Sequence, residues 1–425
     1  EMMQAVGSAG LVYLAWVVGG LLSFFGALTY AELGSVRPFA GGEYVYVRDA
    51  YGPLPGFLYG WTWFLIAKPA SIATVTAGLV RVLGTFSAFS FLPQTLIAWH
   101  VTANRTLVVN YGHLVAITAT VLITALNYVG IRKAGNFQFA FTVLKVAMIV
   151  GIAFIALTSA SGSWSNFSTH YAGATGGMTG FMAALVAALW AYDGWNDLNM
   201  VSEEIERPER TIPIALIFGV GLVAVLYMGM NAGIQRALPA TAIAQAAVPA
   251  SAATEAVLGP LAISLVSIGM IISMLAGLNG TVMSGGRVPF AVARDGYLFK
   301  VLGEVHPKFH TPAVALVIQG ALAIVLVLVG GAFKELFSLA IFAEWLFYMI
   351  AASTIFVFRK REPDVNRPYR TAGYPLVPAL FISTAAILLC YTFFSNLRNS
   401  IAGVVVILLG IPVYLWFAAQ KRRAG

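Results

Sequence analysis

Runs such as Leu11 to Ala31 (LVYLAWVVGGLLSFFGALTYA) hold about 20 residues without a charge, and that feature decides the fold class. At about 1.5 Å per residue such a helix crosses a hydrocarbon core about 30 Å thick. Lipid offers backbone groups no partner, so these runs are expected to span as helices. The whole chain agrees. Of 425 residues, 59% are hydrophobic and 10% are charged, against about 45–50% apolar and about 25% charged in a soluble domain. A soluble fold has no interior large enough for that apolar surface.

Eleven spans are expected: 11 to 31, 55 to 84, 111 to 130, 137 to 158, 179 to 201, 213 to 234, 257 to 285, 311 to 330, 334 to 358, 374 to 395 and 400 to 420. They make residues 1 to 425 one transmembrane domain of an all-α membrane protein. The formal charge of +8 raises the question of nucleic acid, and its distribution answers it. With the loops alternating sides, 18 Lys and Arg fall on one side and four (Arg105, Arg236, Lys334, Arg398) on the other. The richer side is assigned to the cytoplasm, with the C-terminus, and its cations are read as topology signals and lipid contacts. Nucleic acid is not an expected partner. This orientation puts Glu1 outside, without an initiator Met or a signal peptide, so a helix before residue 1 is expected.

The fifth span carries the chemistry. Trp190, Ala191, Tyr192, Asp193, Gly194, Trp195 and Asn196 interrupt an apolar helix near mid-depth with an acid, a glycine and two indoles. Exposing Asp193 to lipid costs roughly 2.5–3.5 kcal/mol on insertion scales, so it needs a wet cavity or a partner. Gly194 allows unwinding, and helix breaks of this kind present backbone groups and dipole ends to zwitterionic substrates in transporters. The other reading is an Asp bonded to a neighbouring helix in a bundle without a cavity. Lys145 lies about nine residues into the fourth span, too deep to snorkel. Either it pairs with an internal acid or it fills the place of a coupling cation.

Lys68, followed by Pro69, and Glu344, followed by Trp345, extend the buried polar positions; for Lys68 a structural ion pair is the favoured reading. Asn279, in a seventh span rich in small residues, is expected to bond to a neighbouring helix. The loops around Glu32 to Glu43 and Glu203 to Arg210 are either gates held by ion pairs or solvated loops. Cys390, the only cysteine, sits in an apolar run and is read as packing. No HExxH, GxSxG, Walker A or strand-borne GxGxxG motif is present, and the five His are scattered, so neither an enzyme, a cofactor nor a metal site is expected.

These residues together resemble the L-type amino acid transporter family, within the amino acid, polyamine and organocation superfamily. The resemblance rests on Gly26–Gly34 (GALTYAELG) with Gly41–Tyr44 (GGEY), Lys68–Ser71 (KPAS), and Trp190–Asn199 (WAYDGWNDLN) with Glu203 and Glu204. Arg287, Ala293–Gly296 (ARDG), His306–Pro307, Thr311–Pro312, Arg367–Pro368 and Gly410–Tyr414 (GIPVY) continue it. It implies the LeuT-type fold, a five-plus-five inverted repeat with two further helices, of which this chain holds about eleven of twelve. The missing first helix is implied to carry half of the substrate site. The other half is implied at Trp190, an aromatic gate, and at Ala191, Tyr192, Asp193 and Gly194. Lys145 matches a lysine of sodium-independent exchangers, while Glu344 and Trp345 match a stretch bordering the side-chain pocket.

Animal members pair with a glycoprotein through an outer-loop cysteine. Residues 85 to 110 contain none, so no disulfide-linked heavy chain is expected, and the implied location is a prokaryotic inner membrane. The implied function is sodium-independent exchange of neutral, and also cationic, amino acids. A cationic amino acid or polyamine antiporter is the nearest alternative. A receptor or channel is the alternative from another class, disfavoured because no sensing domain and no continuous polar stripe is present.

Overall fold

The computed structural model describes residues 1–102, 105–329, 333–395 and 397–424. The side chains of Arg105 and Lys334, two of the four basic residues assigned outside, lie outside the described residues, as does Gly330 at the end of the eighth expected span. Among the described residues, eight helices are long and apolar enough to cross a membrane. They stand at eight of the eleven expected spans. The other three are Gly177–Tyr192, which stops early; Ala313–Val329, which is shorter; and Phe333–Arg361, whose first turns carry side chains outside the described residues.

Local sequence explains the departures from plain helix. Pro69 has no N–H to give, and its ring crowds the carbonyl one turn back. The chain answers with a π turn at Trp63–Ala67, in which the Lys68 N–H reaches the Trp63 carbonyl. In the expected outer loop of residues 85 to 110, strands Thr95–Thr102 and Arg105–Asn110 pair antiparallel, with Trp99 opposite Leu107. That segment alternates β-branched and aromatic residues, a strand signal that the search for membrane spans passes over. Asn110 ends the hairpin and caps the next helix, its side chain accepting from the His113 N–H at 3.0 Å.

The chain divides into two compact units. The first comprises Glu1–Ala27, Phe139–Trp195 and Ile217–Ser273; the second comprises Leu28–Gln138, Asn196–Leu216 and Met274–Gly425. The first has a core of Trp16, Ala184, Ala188 and Tyr192. In the second, Tyr59 stacks on Trp63 at 4.8 Å and meets Phe347 edge-on at 5.4 Å. Cys390, read from the sequence as packing, is instead exposed on Leu376–Ser395. On a membrane-spanning helix an apolar outward face meets lipid, so an apolar neighbourhood in sequence does not imply burial against protein.

The end of the first span is fastened by a buried carboxylate. Glu32 accepts from Arg359 at 2.9 and 2.6 Å and from the Thr371 N–H at 2.7 Å, with Arg367 at 3.3 Å. Breaking a buried pair leaves an uncompensated charge and costs about 3–5 kcal/mol. Arg359→Ala leaves Glu32 with Arg367 and the Thr371 N–H and is expected to lower the melting temperature in detergent, and removing Arg367 as well is expected to lower it strongly. Arg361→Ala, which removes only a bond to the Ala50 carbonyl, is expected to cost about 1 kcal/mol.

Candidate functional site

The fifth span breaks where its acid and glycine stand. Helix Gly177–Tyr192 ends at Asp193, whose backbone is extended (φ −62°, ψ 157°), and helix resumes only at Asp197–Met200. Gly194 turns the chain at φ +94°, a conformation that side chains rarely adopt. A Cβ there would meet nothing within 4 Å, so the backbone angle, not space, calls for glycine. Asp193 and Gly194 are exposed, and Trp190 just before them is 52% exposed. Unwound backbone is tolerated at membrane depth only where it lines protein or water.

The helix end is held from within the first unit. The Tyr227 hydroxyl donates to the Ala191 carbonyl at 2.8 Å, satisfying an acceptor that the break frees. Tyr192, 4% exposed, packs edge-on against Trp16 at 5.6 Å and tilted on Tyr227 at 5.3 Å. An apolar cavity of about 230 Å³ lies beside this cluster, lined by Trp16, Tyr192, Val220 and Met228 among others. The buried Trp16 Nε1 donor has no acceptor among the described residues. Sequence reasoning passed over Trp16 and Tyr227. Both lie in unbroken apolar spans, where no charge or breaker distinguishes an aromatic at the site from one in the core.

The remaining candidates fall in separate surroundings. Lys145, in the first unit, is half-buried on Ile131–Thr158 and forms no ion pair among the described residues. In the second unit, Lys68 is bonded to Asp197 at 2.5 Å, and Ser284 donates to the other Asp197 oxygen at 2.7 Å. Asn279 ties three segments, accepting from Asn127 at 2.9 Å and donating to Gln138 at 2.9 Å and the Ala134 carbonyl at 3.1 Å. Glu344 is buried, 7% exposed, and Trp345 meets the rings of Tyr348 and Phe381 at 5.8 and 6.3 Å. Among the described residues no cluster of His, Cys, Asp and Glu could hold a metal ion.

The loops singled out in the sequence are laced by ion pairs within the second unit. Arg37 grips Glu362 at 2.6 and 2.7 Å, Arg287 grips Glu204 at 2.8 and 3.0 Å, and Arg294 reaches Glu203 at 3.1 Å. Arg48 pairs with Asp295, which also accepts from Tyr44 at 2.6 Å. Burial, together with the Asp295 charge, raises the Tyr44 phenol well above its ordinary value, so it stays a donor.

Residues 1–418 match the family model described as amino acid permease. The chain is 29% identical over 424 residues to the cystine/glutamate transporter of Homo sapiens, covering 99% of this chain and 81% of that one. It is 31% identical over 418 residues to the b(0,+)-type amino acid transporter 1 of Rattus norvegicus, covering 98% and 82%. To the serine/threonine exchanger SteT of Bacillus subtilis it is 30% identical over 424 residues, covering 99% and 91%.

The geometry around Lys68 makes a test of its own. Lys68→Met strands the Asp197 carboxylate and is expected to cost about 3–5 kcal/mol of stability in detergent. The double variant with Asp197→Leu is expected to recover most of that loss, because an apolar pair of similar volume replaces the ion pair.

Proposed function

Because the chain belongs to the amino acid permease family over nearly its whole length, we propose that it is a secondary amino acid antiporter working by alternating access. It is a multi-pass membrane protein. The observation that carries the reading is the unwound, exposed Asp193–Gly194 segment inside an otherwise apolar span. A zwitterion needs an acceptor for its ammonium and backbone or side-chain donors for its carboxylate, and a broken helix provides both.

In this reading Asp193 holds the substrate amine, Ala191, Tyr192 and Gly194 line the break, and Trp190 occludes it. Glu344 and Trp345 border the side-chain pocket. Lys68 and Asn279 hold the scaffold, and the bundle follows the LeuT-type five-plus-five repeat. Lys145 supplies a fixed positive charge where sodium-driven carriers place an ion, which makes exchange independent of sodium. The support for that role is its half-buried position without an ion pair among the described residues.

Neutral substrates fit best, because the cavity beside Tyr192 is lined by apolar side chains. A preference for cationic amino acids is the second reading, and the two acids Asp193 and Glu344 favour it. The excess of Lys and Arg in one set of loops supports a cytoplasmic C-terminus and insertion in the inner, or plasma, membrane.

Counterflow in proteoliposomes of the reconstituted full-length protein tests the proposal: internal unlabelled amino acid is expected to accelerate uptake of labelled amino acid without sodium. Absence of that stimulation contradicts exchange. Asp193→Asn removes a charge-assisted bond worth about 1.5–3 kcal/mol, so apparent affinity is expected to fall about 10- to 100-fold for every substrate. Loss of lysine or arginine uptake with leucine spared would favour the cationic reading.

A further inference from the structure

The loop between the first two spans is pressed against the short helix that follows the break. The Gly41 N–H donates to the Met200 carbonyl at 3.0 Å. A Cβ on Gly42 would sit 2.8 Å from the Asn199 backbone, so only glycine permits this approach. Glu43 comes next and opens helix Glu43–Tyr51 with 0% of its surface exposed.

With the two charged groups that act on it, Glu43 makes three ionisable charges among the described residues. One Glu43 oxygen accepts from the Asn196 amide and the other from the Tyr59 hydroxyl at 3.2 Å, both neutral donors. The charged groups that act on it are Asp197 and Lys68, and those two are already bonded to each other. Tyr30 and Tyr46 add buried phenols. From the helix Arg287–Arg294, Arg287 is turned to Glu204, and from Phe333–Arg361 the Tyr348 carbonyl takes the Tyr30 hydroxyl. Of these three groups among the described residues, one ammonium faces two carboxyl groups, and the three are neutral together when one carboxyl carries a proton. Asn196, whose amide N–H meets Glu43, is itself fully buried, and its Oδ1 has no donor among the described residues.

We infer that Glu43 is a proton-binding site that fastens this loop to the segment after the break, so that exchange responds to acidity on the loop's side of the membrane. The inference rests on the carrier reading above. Burial raises the Glu43 carboxyl from 4.5 to about 7, against the lowering pull of the Asn196 bond. A carboxyl raised in this way favours the packed state when protonated. The stabilisation is complete below 4.5, is lost progressively as pH rises towards about 7, and changes little above. Losing the proton puts an uncompensated charge under the loop and favours its release into water.

Two measurements on the full chain test this. Infrared titration of the purified protein is expected to show a buried carboxylic acid that ionises near neutrality and is missing from Glu43→Gln. Counterflow is expected to rise several-fold from about pH 5 to about pH 8, and Glu43→Gln, a permanent mimic of the protonated group, is expected to flatten that profile. Glu43→Asp, which keeps the acid, is expected to retain a pH dependence with a displaced midpoint, and it decides the matter if the glutamine variant does not fold. An unaltered profile in Glu43→Gln, or an infrared band that survives the substitution, overturns the proton site. Absence of exchange in the unmutated protein overturns the carrier reading alone, since the infrared titration still decides the site.

Discussion

Lipid gives a backbone N–H or C=O nothing to bond with, and the structure is organised by where the chain meets that constraint and where it departs from it. Nearly every long apolar run closes its own hydrogen bonds as helix. The fifth span does not. Between Tyr192 and Asp197 the backbone is open, with an exposed carboxylate and a left-handed glycine at its centre. Such a segment is tolerated at membrane depth only where it lines protein or water, and the proposed binding site rests on that break.

The surroundings of the break show how it is kept from spreading. Tyr227 takes the Ala191 carbonyl, and the rings of Trp16, Tyr192 and Tyr227 lock the end of the first half-helix. In the second unit the short helix Asp197–Met200 is held by Lys68 and Ser284 on Asp197 and by the Gly41–Glu43 turn on Asn196 and Met200. Polar side chains therefore secure the chain on both sides of the opening.

Much of the fold was legible because its signal is coarse. Twenty apolar residues in a row, or an acid beside a glycine within such a run, stand out against lipid whatever the tertiary contacts. Asp193 and Gly194 were visible for that reason, whereas the π turn before Pro69 was not. What escaped depends on contacts between distant residues. Glu43 read as a loop residue, since nothing in GGEY states that its carboxyl is buried against Asn196. Lys68 invited a partner, but Asp197 was hidden in the same motif as the more conspicuous Asp193. The hairpin of Thr95–Thr102 and Arg105–Asn110 was overlooked because its alternation is brief, and Cys390 was misplaced because apolar sequence does not distinguish lipid from protein as the neighbour.

The central claim is that the open backbone after Tyr192 faces water and receives the amino acid. Thiol labelling of Ala191→Cys in a Cys390→Ser background, with a reagent that does not cross the membrane, tests it most directly. The account predicts that the new cysteine is labelled and that a transported amino acid slows the labelling. A cysteine that stays inert under all conditions, or one labelled at the same rate with and without amino acid, would contradict it.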